Sequence, residues 1–237
     1  MSYVHQVYVS DGNTPPSPTL SSYMDRVKAH HDNFEYRFYT DNDVRSLLGL
    51  KFKEEVLWAY ETLVPYSYKV DLAKYCLLWE YGGWYYDVGV YPEFSIHFGD
   101  DVNGVFFTDS LDTSNGTWRI VASVMYSTPK REAYMEAIER IIQNCKDEYY
   151  GEDALHPTST ALLGKIMPKE YFDNKGIILG EGKMMAQENN VLRKALVLDG
   201  EIFSWYKDKG GDLGSLGAKG TNNYNYFWGN KCAYSKK

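Results

Sequence analysis

The stretch from Tyr66 to Glu93, YSYKVDLAKYCLLWEYGGWYYDVGVYPE, decides how this chain is read. It reads as a helix, a glycine turn, a strand, an acidic turn and a second strand. From Tyr75 to Trp79 the helix is continuously apolar, which places it deep in a core, yet Asp71 and Lys74 stand three residues apart on one of its faces. A buried helix seldom carries such a pair without a use for it. Gly82-Gly83 ends the helix, the first glycine being suited to the left-handed position past the last turn, and Trp84-Tyr85-Tyr86 is strand-forming. Asp87 then falls at the C-terminal end of a short strand, the edge of an open α/β sheet at which ligands bind. Asp71, Lys74 and Asp87 are therefore expected to converge on one site.

Outward from this stretch, Tyr3 to Val9 alternates apolar and polar residues ahead of the Asp11 to Pro18 turn cluster and reads as a first strand. Leu20, Met24 and Val27 have helical spacing, Phe34 to Tyr39 alternates as a second strand, and Thr40 caps a short helix carrying Val44, Leu47 and Leu48. Phe52 to Leu63 is a further amphipathic helix, stopped by Pro65. Gly104 to Thr108 and Arg119 to Tyr126 read as strands around a polar turn. Lys130 to Lys146 is an amphipathic helix, and Gly176 to Leu179 and Ile202 to Tyr206 are short late strands. Strands alternating with helices predict one α/β domain over residues 1–237 with a central, mostly parallel sheet. The glycine-rich segment from Lys207 to Lys219 has too little apolar content to pack, so residues 207–237 are expected to form a mobile lid and tail.

Composition narrows the function classes. The net charge is −7 and Lys and Arg are scattered, so no basic stripe offers itself to a nucleic-acid backbone. Three cysteines without C-x-x-C spacing point to a reduced, cytoplasmic chain. The chain opens straight into the strand-like YVHQVYV without a leader, and no apolar run approaches the ~20 residues that span a bilayer; peripheral membrane contact stays open. The 22 tyrosines and 6 tryptophans suit stacking on sugar rings or bases as well as filling a core, so composition alone does not separate an enzyme from a lectin.

The order D-x-x-[RK]-Y followed by G-G-x-Y-x-D, here Asp71, Lys74 and Tyr75 and then Gly82, Gly83, Tyr85 and Asp87, carries a resemblance. It resembles the signature of glycosyltransferases with a sugar-binding region containing the DXD motif. That family includes fungal initiating mannosyltransferases, bacterial capsule and lipopolysaccharide transferases and, more distantly, the glucosylating domains of large clostridial toxins. The core of the resemblance covers Tyr66 to Val90. VHQVYV is similar to the family's opening I-H-Q-I-W strand, with Tyr8 where relatives place an aromatic that stacks on the base. The segment from Ala154 to Thr160 occupies the place of a T-G-P loop near the acceptor and the leaving pyrophosphate. The tail NNYNYFWGN resembles the closing H-h-w-x-x-S-W, with Asn222 in the His position, Phe227 in the Ser position and Trp228 as the Trp.

The resemblance implies a GT-A-like, Rossmann-related fold. It implies retaining transfer of a hexose from a nucleotide sugar, UDP-sugar favoured, to a glycan or glycolipid acceptor in surface polysaccharide or lipopolysaccharide synthesis. The implied catalytic set is Asp71, Lys74 and Asp87, and the implied nucleotide-sugar contacts are Tyr8, Asp71, Lys74, Gly82, Gly83, Tyr86, Asp87 and Trp228. Lys74 stands in the usual Arg place as a point charge without Arg's fork. Relatives neutralise the pyrophosphate with Mn²⁺ or Mg²⁺ held by both acids of D-x-D, but here the motif reads Asp87-Val88-Gly89. Three readings stay open: metal held weakly by Asp87, Asn222 or Asn225; a metal-independent transferase in which Lys or Arg balances the phosphate; and a nucleotide-sugar or carbohydrate-binding module without turnover. Retained activity is favoured because Asp71, Lys74, Gly82, Gly83, Asp87 and Trp228 persist together.

Overall fold

The computed structural model describes residues 2–96, 98–109, 118–187, 190, 192–205, 213–217 and 223–236. The alternating segments Tyr3–Val7 (β1) and Glu35–Tyr39 (β2) pair in parallel, with Pro18–His30 (α1) as the crossover between them. Ser17 caps α1, accepting from the Leu20 amide. Asp41–Lys51 (α2) opens with a capping box, in which Thr40 and Asp43 satisfy each other's amides. Glu54–Thr62 (α3) and Tyr66–Tyr81 (α4) follow, and α4 is buried almost without a break from Tyr68 to Leu78, which is why it lacks an amphipathic stripe. The remaining elements are Gly83–Tyr86 (β3), Gly104–Thr108 (β4), Val124–Ser127 (β5), Glu132–Lys146 (α5), Thr160–Asp173 (α6), Ile177–Ala186 (β6), Leu192–Leu198 (β7), Glu201–Trp205 (β8) and Tyr224–Gly229 (α7).

One sheet joins the strands in the order β2-β1-β3-β5-β4-β6-β7-β8. Because β5 is antiparallel to both β3 and β4, those two point the same way as β1, β2 and β6, and only β5 and β7 run against the rest. The C-terminal ends of β1, β3 and β4 thus share one edge. Helices α2 to α6 cover one face of the sheet around Leu48, Leu72, Tyr75, Ile138 and Leu163. On the other face α1 packs with Trp84, Tyr86 and Phe203. No described helix is long and apolar enough to cross a membrane.

Several segments depart from the sequence expectation. Residues 88–93 are not a second strand: the Val90 amide closes a turn on the Asp87 carbonyl (2.9 Å), and both neighbours of β3 are already supplied by β1 and β5. The expected strand from Arg119 pairs in the ladder only from Val124, because Ile120 makes an isolated bridge to Thr108 and the Ala122 carbonyl is used elsewhere. The late strand at Gly176 runs on to Ala186 as β6 and pairs with β7, which the sequence reading passed over. Asp199 and Gly200, at φ +49° and +86°, turn β7 into β8, and an Asp-Gly pair between apolar runs is the sequence signal for such a hairpin. Residues 223–236, expected in a mobile tail, are anchored: Ala233 and Tyr234 are buried, and the Val64 amide donates to the Ala233 carbonyl (2.9 Å). Residues 207–212 and 218–222 of that expected lid lie outside the described residues.

The turn from α4 into β3 depends on Gly82 (φ +62°) and Gly83 (φ +93°), and a Cβ on Gly83 would sit 2.2 Å from the Tyr3 carbonyl oxygen. His5 closes this corner. Its Nε2–H donates to the Gly82 carbonyl (3.0 Å) and its Nδ1 accepts from the Tyr39 hydroxyl (3.3 Å). Burial lowers the His5 pKa from 6.5 to about 4. As pH falls below 6.5 the unfolded chain binds a proton that the folded chain refuses until about pH 4, so stability present at neutral pH is lost across that window. The loss should amount to about 3 kcal/mol, and the denaturant midpoint of His5→Gln should depend less on pH than that of the wild type.

Candidate functional site

Residues just past three strand ends line one pocket of about 210 Å³: Tyr8 and Val9 after β1, Asp87 and Val88 after β3, and Asp109 after β4. Helix α4 supplies Ser67, Tyr68, Asp71 and Lys74 to the same pocket, and the start of α6 supplies Ser159 and Thr160. On the floor lies a buried charge cluster. The Lys74 ammonium donates to Asp71 Oδ1 (2.9 Å), to Asp87 Oδ1 (3.1 Å) and to the Ala122 carbonyl (2.9 Å), which employs all three of its N–H groups. The Thr158 hydroxyl donates to Asp71 Oδ2 (2.7 Å), and the Tyr85 hydroxyl donates to Asp87 Oδ1 (2.9 Å).

Each partner has a local cause. Helical i,i+3 spacing stacks Lys74 against Asp71. Strand alternation puts Tyr85 and Asp87 on the helix side and sends Trp84 and Tyr86 to the other. The irregular backbone of residues 119–123 leaves the Ala122 carbonyl free of the ladder. Burial opposes the charge on Lys74, which is only 2% exposed, yet the carboxylates of Asp71 and Asp87 outweigh it and hold the ammonium above its ordinary pKa. Burial raises the Asp71 carboxyl, with Lys74 and Thr158 pulling against it. Burial, then Asp87, raises the Tyr85 hydroxyl well above its usual range, so it remains a donor. Among the described residues, two carboxylates face one ammonium here, and these fixed acceptors suit the hydroxyls of a ligand.

Of the residues expected at the site, Tyr8, Asp71, Lys74 and Asp87 line this pocket, whereas Gly82, Gly83, Tyr86, Trp228 and Asn225 do not. Tyr8 is packed with Leu20, Met24, Val88 and Leu213. Gly82 and Gly83 sit at the opposite end of β3 from Asp87 and shape the helix–strand corner instead. Tyr86, expected on the nucleotide sugar, points to the other face of the sheet, where its hydroxyl bonds to His31 Nε2 (2.9 Å). Trp228 packs one helical turn beyond the pocket: its indole N–H donates to the Tyr150 carbonyl (2.7 Å) and the Lys231 ammonium lies 4.6 Å from its ring centre. The tail residue at the pocket is Tyr224, stacked on Tyr68 with ring centres 6.2 Å apart. Thr158, Asp109, Leu213 and Tyr224 are not expected at the site from sequence, and Tyr85 is marked there only as the Tyr of the G-G-x-Y-x-D pattern. Thr158 and Tyr224 nonetheless lie within the Ala154 to Thr160 segment and the NNYNYFWGN tail, both of which resemble family segments, whereas nothing local marks the Ala122 carbonyl.

Among the described residues, the donor set does not fit a metal cage built by the protein alone. Gly89 stands where the motif has its second carboxylate, and Asp71 and Asp109 are paired with Lys74 and Lys194. Asn225 is exposed on α7 and does not line the pocket, and Asn222 lies outside the described residues. Among the described residues no three His, Cys, Asp or Glu side chains gather as metal ligands.

Comparison with known proteins relates the chain to glycosyltransferases. Residues 17–108 match the family model described as a glycosyltransferase sugar-binding region containing the DXD motif. Over 131 residues the chain is 24% identical to an uncharacterized glycosyltransferase of Acanthamoeba polyphaga mimivirus, covering 55% of this chain and 51% of the relative. The chain thus spans about half the length of that curated relative. The fold is similar to that of the PaToxG glycosyltransferase, with a TM-score of 0.53 over 72% of this chain and 69% of the other; at 9% identity the likeness is one of fold. The first two matches are similarities to glycosyltransferases in sequence, and the solved structure adds a likeness of fold alone.

The charge cluster generates a stability test. Lys74→Met removes the cation that Asp71 and Asp87 share and should cost about 3–5 kcal/mol at neutral pH. Protonating the carboxylates removes the repulsion, so the gap to wild type in urea midpoints should narrow as pH falls. Equal midpoints at neutral pH would show that the cluster contributes nothing to holding the fold.

Proposed function

We propose that this chain is a retaining glycosyltransferase acting in the cytoplasm. It would move a hexose from a nucleotide sugar, a UDP-sugar foremost, to a glycan or glycolipid acceptor in surface polysaccharide or lipopolysaccharide synthesis. One observation carries the reading: the motif residues Asp71, Lys74 and Asp87 of the matched region form the floor of a pocket at the C-terminal strand edge, where open α/β sheets bind ligands. In this reading Asp87 accepts from a hydroxyl of the ribose or donor sugar. Asp71, its second oxygen held by Thr158, accepts from a donor-sugar hydroxyl. Tyr8, with Val7 and Val9, forms the wall for the base. Ser159 and Thr160 face the diphosphate at the positive end of α6. Lys74 has no N–H left for a phosphate, so its role is to orient the two carboxylates.

The acceptor oxygen bonds to C1 of the sugar on the face from which the nucleoside diphosphate departs. The bond from C1 to the phosphate oxygen breaks, and the acceptor proton passes to that oxygen. No side-chain base is assigned. Gly89, in place of the second motif carboxylate, favours one other reading, a nucleotide-sugar-binding module without turnover.

Incubation with a panel of UDP- and GDP-sugars, with and without Mn²⁺ or Mg²⁺, separates the two readings. Release of free nucleotide identifies the enzyme, donor binding without release identifies the module, and absence of both binding and release rejects each. Asp87→Asn should lower turnover or donor affinity about ten- to a hundredfold, the scale of one charge-assisted hydrogen bond.

A further inference from the structure

A second concave surface lies beside the pocket and takes no part in the reading above. It is a groove of about 600 Å³ whose lining includes Thr108, Trp118, Leu179, Glu181, Asp199 and Gly200. It continues from the pocket along the chain in two places: Thr108 lines the groove while Asp109 lines the pocket, and Trp118 lines the groove while Val121 lines the pocket.

An aromatic cluster flanks the groove. Trp118 lies 5.9 Å from both Tyr171 and Phe172 of the last turn of α6, and those two rings are 5.3 Å apart. Close packing builds this cluster: Gly164, two turns earlier on α6, meets the Trp118 backbone, and a Cβ there would sit 1.8 Å from the Trp118 carbonyl oxygen. Phe172 nevertheless remains 73% exposed, so burial of its own ring does not account for its place. The exposed side chains of Glu181 and Asp199 add carboxylate acceptors, Glu181 being paired with Lys183. Ring faces beside carboxylate acceptors match a sugar, which presents C–H faces and hydroxyl edges together. The acidic rim disfavours an anionic polymer.

We propose that this groove binds sugar units of the acceptor, a neutral, hydroxyl-rich oligosaccharide. Trp118, which lines the groove, and Phe172, exposed beside it, offer ring faces for stacking, with Tyr171 packed against both, and Asp199 and Glu181 accept from hydroxyls. The assignment of the bound glycan as acceptor rests on the reading of the neighbouring pocket as the donor site.

Phe172→Ala and Asp199→Asn test it. Both side chains are exposed, and Asn tolerates the left-handed backbone of position 199. Binding of maltotriose, cellotriose and mannotriose is measured by titration, alongside transfer to them and donor hydrolysis without acceptor. At least one trisaccharide should bind, each variant should weaken its binding and raise its KM about three- to tenfold, and hydrolysis should stay at the wild-type rate. The proposal is overturned if no trisaccharide binds at millimolar concentration, or if both variants bind as wild type does. Self-association of the wild type that Phe172→Ala abolishes, with sugar binding unchanged, would also overturn it by making the patch a protein contact. Phe172-dependent sugar binding in a protein that neither binds nor hydrolyses any donor would sink the donor reading and leave the sugar groove standing.

Discussion

The rest of the site depends on the Lys74 ammonium. With almost no exposure to solvent, it ties together the middle of α4, the end of β3 through Asp87 and the irregular run before β5 through the Ala122 carbonyl. Desolvating three charges costs several kcal/mol per ion before any pairing, so the arrangement persists only because every N–H has an oxygen and both carboxylates have further donors. Removing any one member leaves an uncompensated group in a low-dielectric interior. A lysine so placed is an orienting group: it fixes where the carboxylate oxygens of Asp71 and Asp87 point, and it has nothing left to offer a phosphate.

Two of the buried tyrosines have a structural role in the same region. The loop before α6 carries buried backbone carbonyls that no sheet or helix satisfies. Tyr68 donates to Ala154 (2.7 Å), Tyr75 to Thr158 (2.9 Å), and Asn144 to Pro157 (2.8 Å). Long side chains with an apolar body and a single polar tip can reach through a core to such acceptors without bringing charge along. Through these bonds α4 and α5 hold the loop against Asp71, and the loop in turn delivers Ser159 and Thr160 to the pocket. Stability of the helical layer and geometry of the pocket therefore rest on shared side chains.

Glycine at position 89 changes the electrostatics of the motif. A second carboxylate there would add charge to a floor that already carries Asp71 and Asp87 beside Lys74. Its absence leaves Asp87, braced by Lys74 and Tyr85, as the motif's acidic group at the pocket. Asp109, the third carboxylate among the described residues lining the pocket, is ion-paired with Lys194.

The sequence by itself determined the α/β layering, the start of α2, the burial of α4, the turn at Gly82-Gly83 and the strand-end position of Asp87. Each of these follows from local rules of periodicity, capping and glycine stereochemistry, which act over a few residues. The same rules brought Asp71 and Lys74 onto one helical face. Tertiary structure decided that the pair is bridged to Asp87, because the distance between a helix face and a strand end is set by packing across the sheet. It also decided that Tyr86 turns away from the pocket, that Tyr224 takes the place expected of Trp228, and that the segment from Arg119 leaves the ladder to free the Ala122 carbonyl. A backbone carbonyl carries no residue-type signal, and the position of a C-terminal helix depends on what it docks against, here through Ala233 and Tyr234 beside Leu63 and Val64. Those contacts join residues far apart in the chain, and only the folded core brings them into register.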